Sequence, residues 1–474
     1  MRLTRRQALA GAATGALGAA GIYELVDRLA GSSPKRRPVA HEESPAPEQH
    51  ILGGVSVVED EGVEVVVPPL HHQIVTGRVT AGTSRKALRE AQAELEHVLA
   101  GLDRAFPATP AGLGLAVAWG KPYFDRYVPK PAARHLPIDR RASGEHGRAV
   151  GVLLDAIRFP SDPHDVVLDE NDLAVHLRSD SSDHVAAATK AIFGGALRGI
   201  LAATSIRKGF VGGGFGGQHS LPKRMAMAAG VPGASLIPDT AQLFLGFTST
   251  QKAALGPPRI VNLETLGLVD LRGGYFRHGT TMHVSHLFED LEAWYLNFDF
   301  RERVDTAFRP GQPARPGSQT LRQAPKDVAT EASVGTSYRR DGAIGHSAAI
   351  QTASRLRADH VAEDGTVYRK GTAIPQRVDF NTLDNPFFWS DDPKRDGLSP
   401  TPTAGLHFVV LHPTSDDFRR ARLAMDGVLP DGTRLRFQPR ARGQGFNSVL
   451  RATHRQNFLV PPRRHRSFPL AELL

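Results

Sequence analysis

One ordered succession of apolar patterns constrains this chain more than its composition does. From residue 63 the run VEVVVPPLHHQIVTG, rich in β-branched residues, reads as a strand region. Ser84 then opens a helix in which Leu88, Ala91, Leu95, Val98, Leu99 and Leu102 recur every three or four positions, so one face is buried. Residues 113–119 form a second apolar strand, stopped by Gly120-Lys121-Pro122. Over 172–178, Leu173, Val175 and Leu177 alternate with Ala174, His176 and Arg178, the period of a third strand, and a helix over 182–201 follows. Strand, helix, strand, strand, helix is the split βαβ order of a ferredoxin-like unit. The second half repeats it. A strand over 280–287 runs into a helix carrying Leu291, Trp294 and Tyr295, and an apolar strand over 406–411 precedes a helix over 416–425. No long sequence repeat links the halves, so the duplication is architectural. The expected fold class is α+β, two ferredoxin-like domains with antiparallel sheets in a duplicated, α/β-barrel-like arrangement. Its divisions are 1–60 (leader and linker), 61–260 and 261–474.

Composition narrows the chemistry. With 474 residues, 41% of them hydrophobic, a sizeable core is available. The chain has no cysteine, which excludes disulfides, thiolate zinc sites, iron–sulfur clusters and a cysteine nucleophile. Any metal must be held by histidine, by carboxylates or within a cofactor. The 58 Lys+Arg against 49 Asp+Glu give a net charge of +9, but the basic residues are spread along the chain without a nucleic-acid motif. They read as a solvated surface, with no nucleic-acid partner expected.

The N-terminus carries Thr4-Arg5-Arg6-Gln7-Ala8-Leu9 ahead of an Ala/Gly/Leu run over 8–22, broken by Asp27 and Arg28. The run is too short for a dependable membrane span and has the form of a twin-arginine signal, which exports proteins already folded. The expected location is therefore the cell envelope or beyond, with the twin-arginine machinery as partner. No clear cleavage site is visible, so retention of the segment as an anchor stays open. Residues 32–49 read as a flexible linker and 309–329 as a surface loop.

Two features carry candidate chemistry. Residues 209–217 (GFVGGGFGG) contain GxGxxG but lack the Lys-Ser/Thr of a phosphate loop and a parallel βαβ context, so a nucleotide site is not expected. The glycines do allow backbone to approach a large flat ligand closely. Among the histidines, His283 and His286 would face opposite sides of a strand, adjacent His71 and His72 would diverge likewise, and His278 adds no shared site. His346, in Ala343-Ile344-Gly345-His346-Ser347-Ala348, has small neighbours that leave room beside an imidazole.

Several stretches between 63 and 425 resemble the dye-decolourising (DyP-type) peroxidases. They are residues 112–120 with Tyr123-Phe124-Asp125, residues 171–180, residues 242–247, the passage from Gly273 to Trp294, and residues 405–411. The resemblance implies two ferredoxin-like domains, a haem b cofactor, export by the twin-arginine route and oxidation of an electron donor by hydrogen peroxide. It also implies that His346 is the axial iron ligand and the metal-binding residue. Arg369, about twenty residues downstream, would be the catalytic arginine on the other haem face, and Gly212 and Gly213 would lie against the cofactor. A neutral imidazole raises electron density on iron, and a guanidinium stabilises charge on a departing oxygen.

Two departures from the family's pattern stand out. Its GFxDG motif supplies a proton-transferring aspartate, yet Gly212 stands at that place here, with His219 or a water held by Arg369 as substitutes. The tract after His346 also differs, reading SAAIQTASR. An exported peroxidase is the leading expectation. A haem-binding protein without catalysis and a haem-free remnant with a structural role remain as alternatives, and self-association is open. Trp119, Trp294 and Trp389 are candidate electron relays or core aromatics.

Overall fold

The computed structural model describes residues 21–31, 37–38, 45–60, 63–214, 218–247, 271–313, 328–361, 365, 367–392, 394–442 and 444–474. The twin-arginine motif, most of the linker, residues 215–217 of the glycine-rich stretch and most of the 309–329 loop lie outside them. The elements that build the fold are, in chain order, β1 (His71–Val79), α1 (Arg85–Ala105), β2 (Gly114–Gly120), β3 (Leu173–Ser179), α2 (Ser182–Phe193), β4 (Leu201–Phe210), α3 (Leu221–Ala229), β5 (Thr280–Glu289), α4 (Leu291–Leu296), α5 (His346–Ser354), β6 (Phe380–Asp384), β7 (Thr403–His412), α6 (Ser415–Met425) and β8 (Leu450–Val460).

Each half is a four-stranded antiparallel sheet of the same order. In the first, β1 lies between β4 and β3, and β3 pairs with β2. In the second, β5 lies between β8 and β7, and β7 pairs with β6. The two sheets then join edge to edge. Asn381 of β6 bridges Phe210 of β4, and Phe458 and Leu459 of β8 pair with Gly120 and Trp119 of β2. Eight strands thus close into a ring, which leaves no long unpaired edge for another chain to extend.

Alternation along the strands divides side chains between the inside of the ring and the helical layers outside it. Ile74, Ala118, Ala174, Met282, Val284, Phe380, Val409, Leu411 and Phe458 fill the interior. Outside, Leu88, Ala91, Leu95, Leu99 and Leu102 of α1 pack with Leu173, Val175 and Leu177 of β3, the face that helical spacing marks as buried. Ser84 caps this helix, its side chain accepting from the Ala87 N–H. Removing such a cap costs about 1 kcal/mol.

Three boundaries differ from the sequence expectation. The helix after β3 stops at Phe193 rather than near 201, because Gly194 and Gly195 break it and Gly195 takes φ 54°. Residues 201–210 then form β4, where Arg207 points inward and pairs with Asp169 at 3.0 Å. Pro68 and Pro69 split the first strand region. Val63–Val67 belongs to a separate small sheet, and only His71–Val79 enters the ring. Residues 21–29 are helical, with Ile22, Leu25 and Val26 buried in the core. Among the described residues, no helix is long and apolar enough to cross a membrane.

Candidate functional site

A cavity of about 380 Å³ lies on the outer face of the second sheet, beneath α5 and α6. Its floor is made by residues that alternation sends outward: Ser285, Leu287 and Glu289 of β5, and Leu406, Phe408, Val410 and His412 of β7. The first half closes one side with Gln242, Leu243, Leu245 and Phe247, the segment that leads up to the second half. A volume of this size, mostly apolar with a few convergent charged groups, is what small-molecule and cofactor sites present.

His346 is the first residue of α5 and lines this cavity. The turn that delivers it depends on Gly345, at φ 61°, where a Cβ would meet the Phe308 carbonyl oxygen at 2.6 Å. Any larger residue would displace the start of the helix. The imidazole stacks at a tilt on Phe446, 4.6 Å between ring centroids. Its Nδ1 is buried without a hydrogen-bond partner among the described residues. Burial, followed by the nearby positive charges of Arg377 and Arg422, holds its pKa down to about 3, so the ring is neutral at ordinary pH. A neutral imidazole is the form in which histidine binds metal.

Charged side chains gather around it. Arg377 forms a two-pronged pair with Asp379, at 2.9 and 2.7 Å, and both line the cavity. Arg422 bonds Asp426 at 2.9 Å, and Arg455 pairs with Asp162. Arg355, at the C-terminal end of α5, donates to the Gly371 carbonyl at 3.2 Å, and burial pulls its guanidinium down to about 10. Guanidinium groups at the margin of an apolar slot suit a ligand that is flat and apolar with carboxylates at its edge. In kind, an imidazole and guanidinium groups around an apolar slot, the donor set fits a haem.

Other residues singled out in the sequence lie elsewhere. Arg369 does not line the cavity. It sits just after a short hairpin pairing His360–Val361 with Val367–Tyr368, its side chain is 76% exposed, and it pairs with Asp359 at 2.7 Å. The expectation of a catalytic Arg369 is thereby corrected, since spacing alone could not foresee that Asp359 holds the guanidinium at the surface. Gly212 and Gly213 are not in the lining either. Gly213, at φ 72°, bridges Ser220, and a Cβ there would meet the Leu221 backbone nitrogen at 2.5 Å. The glycines thus serve the tight approach to α3, and among the described residues of this stretch only Val211 reaches the cavity. His219 is exposed.

Arg377 and Glu289 were missed by sequence reasoning. Arg377 stands 31 positions after His346, well past the roughly twenty that the resemblance implies, and Glu289 lies just beyond the strand read over 280–287. Among the described residues, no group of three or more histidines and carboxylates is arranged to hold a metal ion without a cofactor.

His283 and His286 do diverge. His283 stacks on Phe418 outside the ring, while His286 points inside. There His286 pairs with Asp384 at 3.0 Å, both groups fully buried, and packs against His407 and Trp389. Trp119, Trp294 and Trp389 are all buried.

A family of unknown function (DUF7405) matches residues 69–462, most of the chain. No curated protein matches. Among solved structures, the DyP-type peroxidase of Cellulomonas bogoriensis superposes with a TM-score of 0.50, at 16% identity, over 91% of this chain and 96% of that one. The oxyferrous complex of DtpA from Streptomyces lividans matches with a TM-score of 0.50, at 16% identity, over 91% of this chain and 96% of that one. Identities this low speak for architecture alone, and the architecture agrees with the ring of two ferredoxin-like units described above. The chain belongs to the family of unknown function DUF7405, and its fold is that of the DyP-type peroxidases.

Proposed function

We propose that this protein binds haem b through His346 and uses it as an exported peroxidase, oxidising an electron donor with hydrogen peroxide. The observation that carries the reading is His346 itself. It is a neutral imidazole set at the start of a helix and lining a largely apolar cavity edged by arginines. When bound, the haem iron supplies the redox chemistry. The chain supplies the rest: His346 donates a nitrogen lone pair, Phe446 fixes the ring plane, and Leu243, Leu245, Phe247 and Phe308 exclude water. Arg377, kept charged by Asp379, is the guanidinium placed to stabilise negative charge within the cavity. This role passes to Arg377 from Arg369, which lies at the surface.

A second reading, a haem-binding protein that has given up catalysis, is favoured by one observation. Gly212, at the place of the family's proton-transferring aspartate, offers no carboxylate and does not reach the cavity. Expression with haem followed by absorption spectroscopy and a dye-oxidation assay separates the readings. Both expect a Soret band that His346→Ala removes. Only the peroxidase reading expects dye oxidation that Arg377→Ala abolishes and Arg369→Ala leaves intact. Protein that stays colourless under haem supply would refute both. Export by the twin-arginine route is part of the proposal and is tested by replacing Arg5 and Arg6 with lysine, which should retain the protein inside the cell.

A further inference from the structure

The cavity contains a carboxyl group that none of its ion pairs uses. Glu289 closes β5, opposite Ala404 of β7 and Leu450 of β8, and lines the cavity while only 5% exposed. Its Oε2 is buried with no hydrogen-bond partner among the described residues. An unsatisfied buried carboxyl oxygen is costly to keep, and its presence beside a ligand cavity calls for an explanation.

We propose that Glu289 is the acid–base group of this cavity, doing the proton transfer for which Gly212 has no side chain. The inference rests on the haem reading above. Glu289 takes the proton from one oxygen of hydrogen peroxide and returns it to the other, which leaves as water when the O–O bond breaks; the two electrons for that cleavage would come from the haem of the reading above, and the proton count on glutamate is unchanged at the end. General acid–base groups of this kind contribute about 10²–10⁴-fold.

The surroundings set the pH at which this works. Burial, followed by the like charge of Asp379, raises the Glu289 carboxyl to about 8, so the base form grows as pH rises towards that value. Asp379 reaches it from the residue just before β6, with its charge tied to Arg377. Tyr295 faces it from α4, its hydroxyl donating to the Phe244 carbonyl at 2.6 Å and lying near Arg303. From further round the cavity come His346, Arg422 and the Arg455–Asp162 pair.

Two measurements on the intact chain test the proposal. In the haem-free protein, infrared spectroscopy should detect the carbonyl stretch of a protonated carboxylic acid that is lost as pH rises through about 8 and is absent from Glu289→Gln. In the haem-loaded protein, the rate of reaction with peroxide and the rate of cyanide binding, which also requires a proton to be removed, should rise over the same pH range. Glu289→Gln should lower both by about 10²-fold or more and flatten their pH dependence, while Glu289→Asp restores part of each. If Glu289→Gln binds haem normally but keeps the parental rates and pH profiles, the proposal is overturned and the haem reading stands. If the parent forms no Soret band, both fall together. An infrared band that survives in Glu289→Gln assigns the proton to another group and also overturns the proposal.

Discussion

Folding takes several imidazoles out of water, and acid should therefore unfold the haem-free protein steeply. Burial holds His50 and His412 down from 6.5 to about 3, with repulsion from Arg178 and Arg141 respectively adding to the effect. The unfolded chain binds protons at these rings below 6.5, whereas the folded chain refuses them until about 3. Their contribution to stability is therefore complete above 6.5 and is lost as pH falls through that window. Between about pH 7 and about pH 5 each ring costs about 2 kcal/mol. His72, His176, His283 and His407 are displaced in the same direction. Glu289 works the other way, because its folded form keeps a proton that the unfolded chain sheds above 4.5. It returns about 2 kcal/mol over the same interval. The net loss is a large part of the roughly 5–15 kcal/mol that stabilises a typical domain. Urea unfolding followed by circular dichroism at the two pH values measures it. His412→Gln should lose about 2 kcal/mol less than the parent over that interval. Equal losses would mean that the folded protein protonates His412 freely, and the reasoning would fail.

Inside the ring, Asp384→Ala empties the fully buried site 3.0 Å from the His286 imidazole and should cost about 1–3 kcal/mol in denaturant unfolding. Trp294 is fully buried, with its indole N–H donating to the Leu245 carbonyl at 2.9 Å, so Trp294→Ala should cost about 3–5 kcal/mol and lower the melting temperature. Gly345→Ala should weaken haem uptake, read as a smaller Soret absorbance at fixed haem, because a Cβ there collides with the Phe308 carbonyl and displaces His346. Arg369→Ala should leave melting temperature and haem spectrum within experimental error of the parent, as expected for an exposed ion pair worth about 0–1 kcal/mol.

The legible parts of the fold were those whose side chains obey a simple period. Helix α1, with five buried residues at helical spacing, and strands β2, β3 and β7, with their apolar residues, could be read directly, and β5 was placed over 280–287. Strands β4, β6 and β8 could not, because the ring buries polar residues in them. Arg207 is neutralised by Asp169 and Arg455 by Asp162, while Asp384 lies against His286. A run such as Thr453-His454-Arg455-Gln456-Asn457 has no apolar alternation, and only partners distant in sequence make its burial tolerable. The site was legible in part for the same reason. His346 could be singled out by its small neighbours, and it does line the cavity. Arg369 was placed by spacing alone, and a local carboxylate overrode that spacing. Glu289 carries no local mark, since its significance arises only when β5, β7 and α4 come together.

The seams of the ring are narrow: one bridge between β4 and β6, and two paired positions between β2 and β8. Few backbone bonds therefore hold the two sheets together, and most of the adhesion comes from the side chains they enclose in common. Neither sheet owns its inner surface. A fragment ending after β4 would present the lining of a vessel whose other wall is missing, and the same holds for a fragment beginning at β5. Expressed apart, the two pieces should be insoluble or should capture each other. Joined, they should melt in a single cooperative step, so the architectural doubling has left a molecule that cannot be divided along the line where its halves meet.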